Sequence, residues 1–167
     1  MYFQIDTAYL SIDPLTTKDK DFIFELVNTP GWLKFIGDRN VRSPEYALEY
    51  INRILNNPNA TYWTVRIKTD FKAVGVITLI KRDYLQHHDI GFAFLPEYSG
   101  KGYAFEATSA VMQRLAKEEA HSVLMAITVK DNFSSIKLLE RLGFRFEKMI
   151  NVENEELTSY RYDMPLK

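Results

Sequence analysis

Apolar residues recur along this chain with two periods, and the switches between them mark out the elements. Leu10, Ser11, Ile12, Asp13 and Pro14 alternate like a short strand. Thr16 or Thr17 is placed to cap a helix over about residues 19–28, with Phe22, Leu26 and Phe24 or Val27 turned inward. Ser43-Pro44-Glu45 opens a second helix with a capping hydroxyl, a proline in the first turn and an acid near the positive end of the helix. That helix carries Tyr46, Tyr50, Ile51, Ile54 and Leu55 and stops near Asn57-Pro58. The period then shortens to two. Residues 62–68, 73–81 and 89–95 are rich in β-formers and read as three neighbouring strands joined by antiparallel connections. Helical spacing returns over residues 103–119, with Ala104, Phe105, Thr108, Val111, Met112 and Leu115 on one side. A strand at 122–129, a helix at 133–142 closed by Gly143, and strands at 144–150 and 157–164 complete the order. The fold class expected is α+β: a mixed, mainly antiparallel sheet flanked by helices, with one parallel crossover.

Composition narrows the picture without naming a function. The 167 residues suit one domain, expected over 1–167, and no repeat or linker divides them. Twenty-one basic residues against 22 acidic ones exclude a surface built throughout to hold polyanions, so no nucleic-acid partner is expected. No run approaches the ~18 apolar residues of a membrane span, and the start lacks a secretory pattern. The cytoplasm is the expected location. With no cysteine there is no disulfide, no thiolate metal ligand and no cysteine nucleophile.

Two motifs carry the chemistry. In Leu95-Pro96-Glu97-Tyr98-Ser99-Gly100-Lys101-Gly102-Tyr103-Ala104, a glycine-rich turn joins a strand to a helix. The glycines let backbone approach a ligand closely, and the first helical N–H groups lack intrahelical partners, a geometry suited to phosphate. Lys101 adds a cation at the mouth. Neither the G-x-x-x-x-G-K-[ST] loop nor the G-x-G-x-x-G dinucleotide pattern is present. About thirty residues later comes Asp131-Asn132-Phe133-Ser134-Ser135, which leads through Leu138-Leu139 to Gly143-Phe144. The two blocks, in this order and at this separation, resemble the GNAT superfamily of acyl-CoA-dependent N-acetyltransferases. With Phe105-Glu106-Ala107 they look most like the branch that includes the ribosomal-protein N-terminal acetyltransferases.

The resemblance implies a sheet splayed into a V between strands 89–95 and 122–129. It implies acetyl-CoA as acetyl donor, with the pantetheine arm along the backbone of Phe94 and Leu95. The pyrophosphate would rest on the N–H groups of Gly100, Lys101, Gly102, Tyr103 and Ala104, with Asn132 facing the pantetheine and Ser135 near the thioester. Two positions depart from the family. The Gln or Arg that commonly stands three residues before the first required glycine is Ser99 here, and the tyrosine that protonates the leaving thiolate in many members falls at Leu139.

Acetyl transfer needs a neutral amine. An α-amine with a pKa of about 7.7–8.0 is already ~10% neutral at pH 7, whereas a lysine at about 10.4 offers only ~0.04%. The resemblance places a catalytic carboxylate at Asp89, with a strand-edge ion pair as the alternative; a raised pKa would let Asp89 act as base. His87 and His88 face opposite ways, so at most one enters a given cleft, and exposed turn histidines are the simpler reading. Metal binding by the pair with Asp89 is not expected. Ser135 is the substitute for the missing tyrosine, with first-turn capping as its alternative, and Glu106 is read as structural. In the resemblance the loop 32–40 borders the acceptor site, where Trp32, Phe35, Asp38 and Arg39 are candidate pocket residues; folding of its aromatics onto the core is the rival. The reading is an acetyl-CoA-dependent transferase acting on a peptide or protein N-terminus. A small-amine acetyltransferase and a CoA-binding module without catalysis stand as alternatives, and the chain is expected to be a monomer or homodimer.

Overall fold

A computed structural model describes residues 3–165. Eight strands form one sheet in the order β1-β2-β3-β4-β5-β6-β8-β7, numbered along the chain. They are β1 (Ile5–Asp6), β2 (Leu10–Pro14), β3 (Ala60–Ile67), β4 (Ala73–Ile80), β5 (Asp89–Phe94), β6 (Val123–Thr128), β7 (Arg145–Val152) and β8 (Glu155–Asp163). Every neighbour pairing is antiparallel except β5 with β6, which is the one expected from the sequence. The last strand returns between β6 and β7, leaving β7 at the edge.

Five helices cover the two faces: α1 (Lys20–Val27), α2 (Pro30–Phe35), α3 (Pro44–Leu55), α4 (Tyr103–Lys117) and α5 (Phe133–Arg141). Thr16 does provide the first cap, in a reciprocal box with Asp19, but a short 3-10 turn over Thr17–Asp19 intervenes and α1 starts at Lys20. Its buried stripe is Ile23, Leu26 and Val27, so Phe22 and Phe24 flank the stripe, half-buried, where the sequence pattern points them inside. Ser43 caps α3 as expected. Tyr46, however, is 53% exposed, and Ala47 takes the inward position.

The segment read as a plain connection contains α2. Thr29 caps it, Pro30 opens it, and the Gly37 N–H closes it on the Trp32 carbonyl at 2.9 Å. Six residues are too few for a helical period to register in the sequence. The short strand β1 escapes the sequence pattern too, because two residues show no alternation.

Two cores result. One, with Trp63, Ile77, Ile90, Leu124 and Tyr160 of the sheet, packs under α4 and α5 through Val111, Leu115 and Leu139. The other, with Val76 and Leu95 of the sheet, packs under α1–α3 through Leu26, Trp32 and Ile51. Among the described residues, no helix is long and apolar enough to cross a membrane.

Candidate active site

Strands β5 and β6 pair at one position only, Asp89 opposite Met125, where the Met125 N–H donates to the His88 carbonyl at 2.8 Å. On its other side β5 pairs with β4 over six positions. The ladder groups of β5 beyond Asp89 that face β6 therefore have no strand partner, and the sheet opens there into a V. Buried backbone donors and acceptors require partners, so an extended amide-bearing ligand arm fits this gap. Phe94 and Leu95 lie at its wide end, with Leu95 held to β4 through the Val74 carbonyl at 2.9 Å.

The wide end leads through a 3-10 turn (Pro96–Tyr98) into α4. Gly100 and Gly102 have φ of +73° and +82°, and a Cβ at either would meet nothing within 4 Å. The space before the turn is open, and the left-handed backbone there favours glycine. Gly102 is the N-cap of α4 with no side-chain cap, and the first intrahelical bond runs from the Glu106 N–H to the Gly102 carbonyl. The N–H groups of Tyr103, Ala104 and Phe105 thus point outward without intrahelical acceptors, at the positive end of a fifteen-residue helix. Lys101 is exposed beside them, 5.8 Å from the Tyr98 ring centroid. Ser99 gives its hydroxyl to the Pro96 carbonyl at 2.7 Å, so it braces the turn. A pyrophosphate fits this cradle. Glu106 is committed elsewhere: its Oε1 accepts from the Thr7 hydroxyl at 2.5 Å and the Tyr9 N–H at 3.1 Å, tying the β1–β2 turn to α4.

At the N-terminus of α5, Asn132 is the cap, its Oδ1 accepting from the Ser135 N–H at 3.4 Å. Capping therefore falls to Asn132, and the half-buried Ser135 hydroxyl is not the cap that its alternative reading made it. Leu139, at the position of the missing tyrosine, is 2% exposed and packs in the α4–α5 core.

The register decides which way Asp89 looks. Ile90 and Phe92 belong to the core under α4 and α5, while Ala93 and Leu95 belong to the core under α1–α3. Alternation puts Asp89 and Gly91 on the α1–α3 face. Gly91 lies opposite Thr78, which lies opposite Tyr62, and a Cβ on Gly91 would meet the Thr78 Oγ1 at 2.6 Å. Asp89 is 4% exposed at the apex of the V, and its Oδ2 accepts from the Arg82 Nε at 2.6 Å. Burial raises its pKa to about 6, with the Arg82 charge and hydrogen bond pulling the other way.

Arg82 sits in the β4–β5 connection, which Lys81 pins by donating to the Leu85 and Gln86 carbonyls at 2.7 and 3.2 Å. Tyr84 feels the charges of both Arg82 and Asp89, and burial holds its hydroxyl above the usual range. Burial, reinforced by Tyr50, pushes the Tyr62 hydroxyl far up, so it stays protonated; the charges of Arg39 and Arg82 also reach it. Tyr50, Tyr62, Arg82 and Tyr84 were not singled out from the sequence as site residues. Their signal was weak: the first two read as helix and strand positions, and an arginine seven residues before an aspartate marks nothing until a turn folds it back.

The four acceptor-pocket candidates separate. Trp32 is buried in the α1–α3 core, as the rival reading had it, with its indole N–H among the buried donors that find no partner. Phe35 is half-buried beneath the Lys34 ammonium, 5.0 Å from its ring centroid. Asp38 is tied to Arg42 at 2.5 Å and to the Asn40 N–H at 2.8 Å, which lower its pKa to about 2. Arg39 is exposed, and its charge is felt at Tyr62.

The histidines are not the exposed turn residues expected. Both are half-buried, because the β4–β5 connection folds down onto the sheet. His88 meets His121 edge-on at 4.6 Å, and burial and His121 lower its pKa, so it is neutral near pH 7. Among the described residues, no group of three His, Asp or Glu side chains is placed to hold a metal.

In sequence and in fold this chain is similar to known proteins. A family model described as an acetyltransferase (GNAT) domain matches residues 10–145. The uncharacterized N-acetyltransferase YnaD of Bacillus subtilis is 28% identical over 162 residues, covering 95% of this chain and 94% of its own. A GNAT-family acetyltransferase from Bacillus anthracis superposes with a TM-score of 0.81 at 24% identity, over 97% of this chain and 99% of that one. The ribosomal-protein-S5-alanine acetyltransferase of Vibrio fischeri gives 0.79 at 20% identity, over 97% of each chain. A mutant of spermidine N-acetyltransferase SpeG from Vibrio cholerae gives 0.76 at 17% identity, over 95% of each. The three structures share the fold, and the two whose names carry a substrate name different ones.

Proposed function

This chain belongs to the GNAT acetyltransferase family, and on that premise we propose that it moves acetyl from acetyl-CoA directly to the α-amine of a peptide or protein N-terminus. The observation that carries the reading is Asp89: a buried carboxylate at the apex of the V, on the α1–α3 face, with a pKa of about 6.

Acetyl-CoA supplies an activated thioester and a thiolate leaving group. The glycine turn binds the pyrophosphate through the Gly102–Phe105 amides, with Lys101 adding charge. The unpaired edge of β5 at Phe94 and Leu95 orients the pantetheine amides, helped by the Asn132 amide. Asp89, ionised at neutral pH, takes the proton from the acceptor ammonium, directly or through one water. An α-amine at about 7.7–8.0 lies roughly two units above Asp89, whereas a lysine at about 10.4 lies more than four above, so this base suits the α-amine. Ser135, in the first turn of α5, donates its hydroxyl proton toward the departing sulfur in place of the tyrosine that Leu139 replaces. Without cysteine, transfer proceeds from thioester to amine with no cysteinyl acyl-enzyme.

The test is release of free thiol from acetyl-CoA with N-terminal peptides as acceptors, beside isothermal titration with CoA. Gly102→Glu is expected to weaken CoA binding about 100-fold or more by placing a carboxylate against the phosphates. Gly102→Ala bears the same left-handed backbone without the charge and is expected to lose far less. Equal affinity in wild type and Gly102→Glu overturns the phosphate assignment. CoA binding without thiol release from any acceptor favours the binding module, which the absent tyrosine keeps as the second reading.

A further inference from the structure

The acceptor face carries a charge pattern that the transfer reaction itself does not need. Arg82 meets Asp89 through Nε alone, and its side chain is 33% exposed while that of Asp89 is 5% exposed. The guanidinium gives its Nε–H to Asp89 and shares a hydrogen bond with the Tyr84 hydroxyl, and its partial exposure leaves further N–H donors that no acid satisfies among the described residues. A guanidinium presents five N–H donors in a rigid fork, and one edge can hold a second carboxylate while the other keeps the first. The charge of Arg39, in the α2–α3 connection, also reaches the Tyr62 hydroxyl, and no acid is paired with it among the described residues. The nearby acids are committed: Asp38 to Arg42, and Asp89 to Arg82. Glu153, from the β7–β8 turn, is the other acid whose charge is felt here, at Tyr84.

Resting on the transferase reading above, we propose that the acceptor carries a carboxylate close to its amine, gripped by the remaining donors of Arg82 with Arg39 as a second cation. Two cations whose charges reach one neutral tyrosine hydroxyl attract such a molecule and repel a polyamine, whose second ammonium would meet the field of Arg39 or Arg82. The carboxylate comes from one of two sources, an acidic side chain in the first residues of a peptide or the carboxylate of a free amino acid. Either supplies the same anion to the same fork. Holding it also fixes the amine relative to Asp89, so the contribution appears in kcat/KM and not only in binding.

The experiment compares matched acceptors by thiol release at pH 7.5: a peptide with Asp at its second position against the same peptide with Asn, threonine against threoninamide, and spermidine. In at least one pair the carboxylate member is expected to exceed its amide by about 10-fold or more in kcat/KM, and the pair that discriminates names the source. Spermidine is expected to be the poorest acceptor. Arg39→Glu, at an exposed position, is expected to bring the discriminating ratio close to one, with Arg39→Gln between; added salt should act in the same direction. Circular dichroism and CoA titration check that both variants fold and bind cofactor. Thiol release at equal rates within both pairs, or fastest with spermidine, overturns this inference while leaving the transferase standing. A ratio unmoved by Arg39→Glu overturns the role of Arg39. No thiol release with any acceptor overturns both readings together.

Discussion

Two buried aspartates, each paired with an arginine, stand on the same sheet and are treated very differently. Asp19 is enclosed by partners: its Oδ2 accepts from the Thr16 N–H at 3.1 Å and the Thr64 hydroxyl at 2.9 Å, and its Oδ1 accepts from Arg66. It caps the turn before α1 and pins it to β3. Asp89 is just as buried, yet its carboxylate accepts from Arg82 alone. Hydrogen bonds to the ionised form offset burial, and Asp89 has too few of them, so its pKa rises to about 6. A fully satisfied acid holds structure together. An acid left with one partner at the apex of an open cleft is the candidate for proton transfer.

Substitutions at the two sites can break or sharpen this contrast. The largest effect is expected for Asp19→Ala, which removes a cap and leaves Arg66 with only the 3.8 Å contact to Asp13. Urea unfolding should show a loss of about 3 kcal/mol, with kcat little changed in the folded fraction. A loss comparable to that of Asp89→Asn would erase the distinction. Asp89→Asn should do the reverse. It lowers kcat by about 100-fold with a smaller effect on stability, and it removes the acidic limb of the rate profile. In the wild type that limb falls below about pH 6 as Asp89 takes up its proton. Wild-type turnover in Asp89→Asn at every pH from 5 to 8 would dismiss Asp89 as base.

The smallest effect is on stability against pH. Because the folded pKa of Asp89 is raised above its ordinary value of 3.8, the folded state holds the proton more tightly between about pH 4 and pH 6. The stability Asp89 contributes is therefore fully present below about pH 4 and is lost as pH rises through 6. Measured by unfolding, wild type should gain on Asp89→Asn as pH falls from 7 to 4, and a flat difference would contradict the raised pKa.

Much of this was legible in order along the chain. The glycine turn at 100–102, the start of α5 after Asn132, and the strands on either side of the V follow from local pattern and spacing, whereas the capping role of Asn132 did not. Local chemistry suffices there, because a turn, a helix start and an alternating strand are set by residues within a few positions of one another. The apolar phase of α1 was misplaced because a 3-10 turn preceded it, and α2 was hidden by its shortness. The acceptor side was the least legible. The residues proposed for it come from the α2–α3 connection, α3, β3, the β4–β5 connection and the start of β5, and none of them is adjacent in sequence.

The sequence by itself determined the two motifs, the mixed order of elements and the absence of cysteine. Only the tertiary structure decided that Asp89 is buried with a single partner, that it looks toward α1–α3, and that Arg82 folds back from the β4–β5 connection onto it. Burial and pairing belong to the three-dimensional neighbourhood of a side chain. A carboxylate near pKa 4 and one near 6 are the same letter until a sheet closes on one side of it and opens on the other.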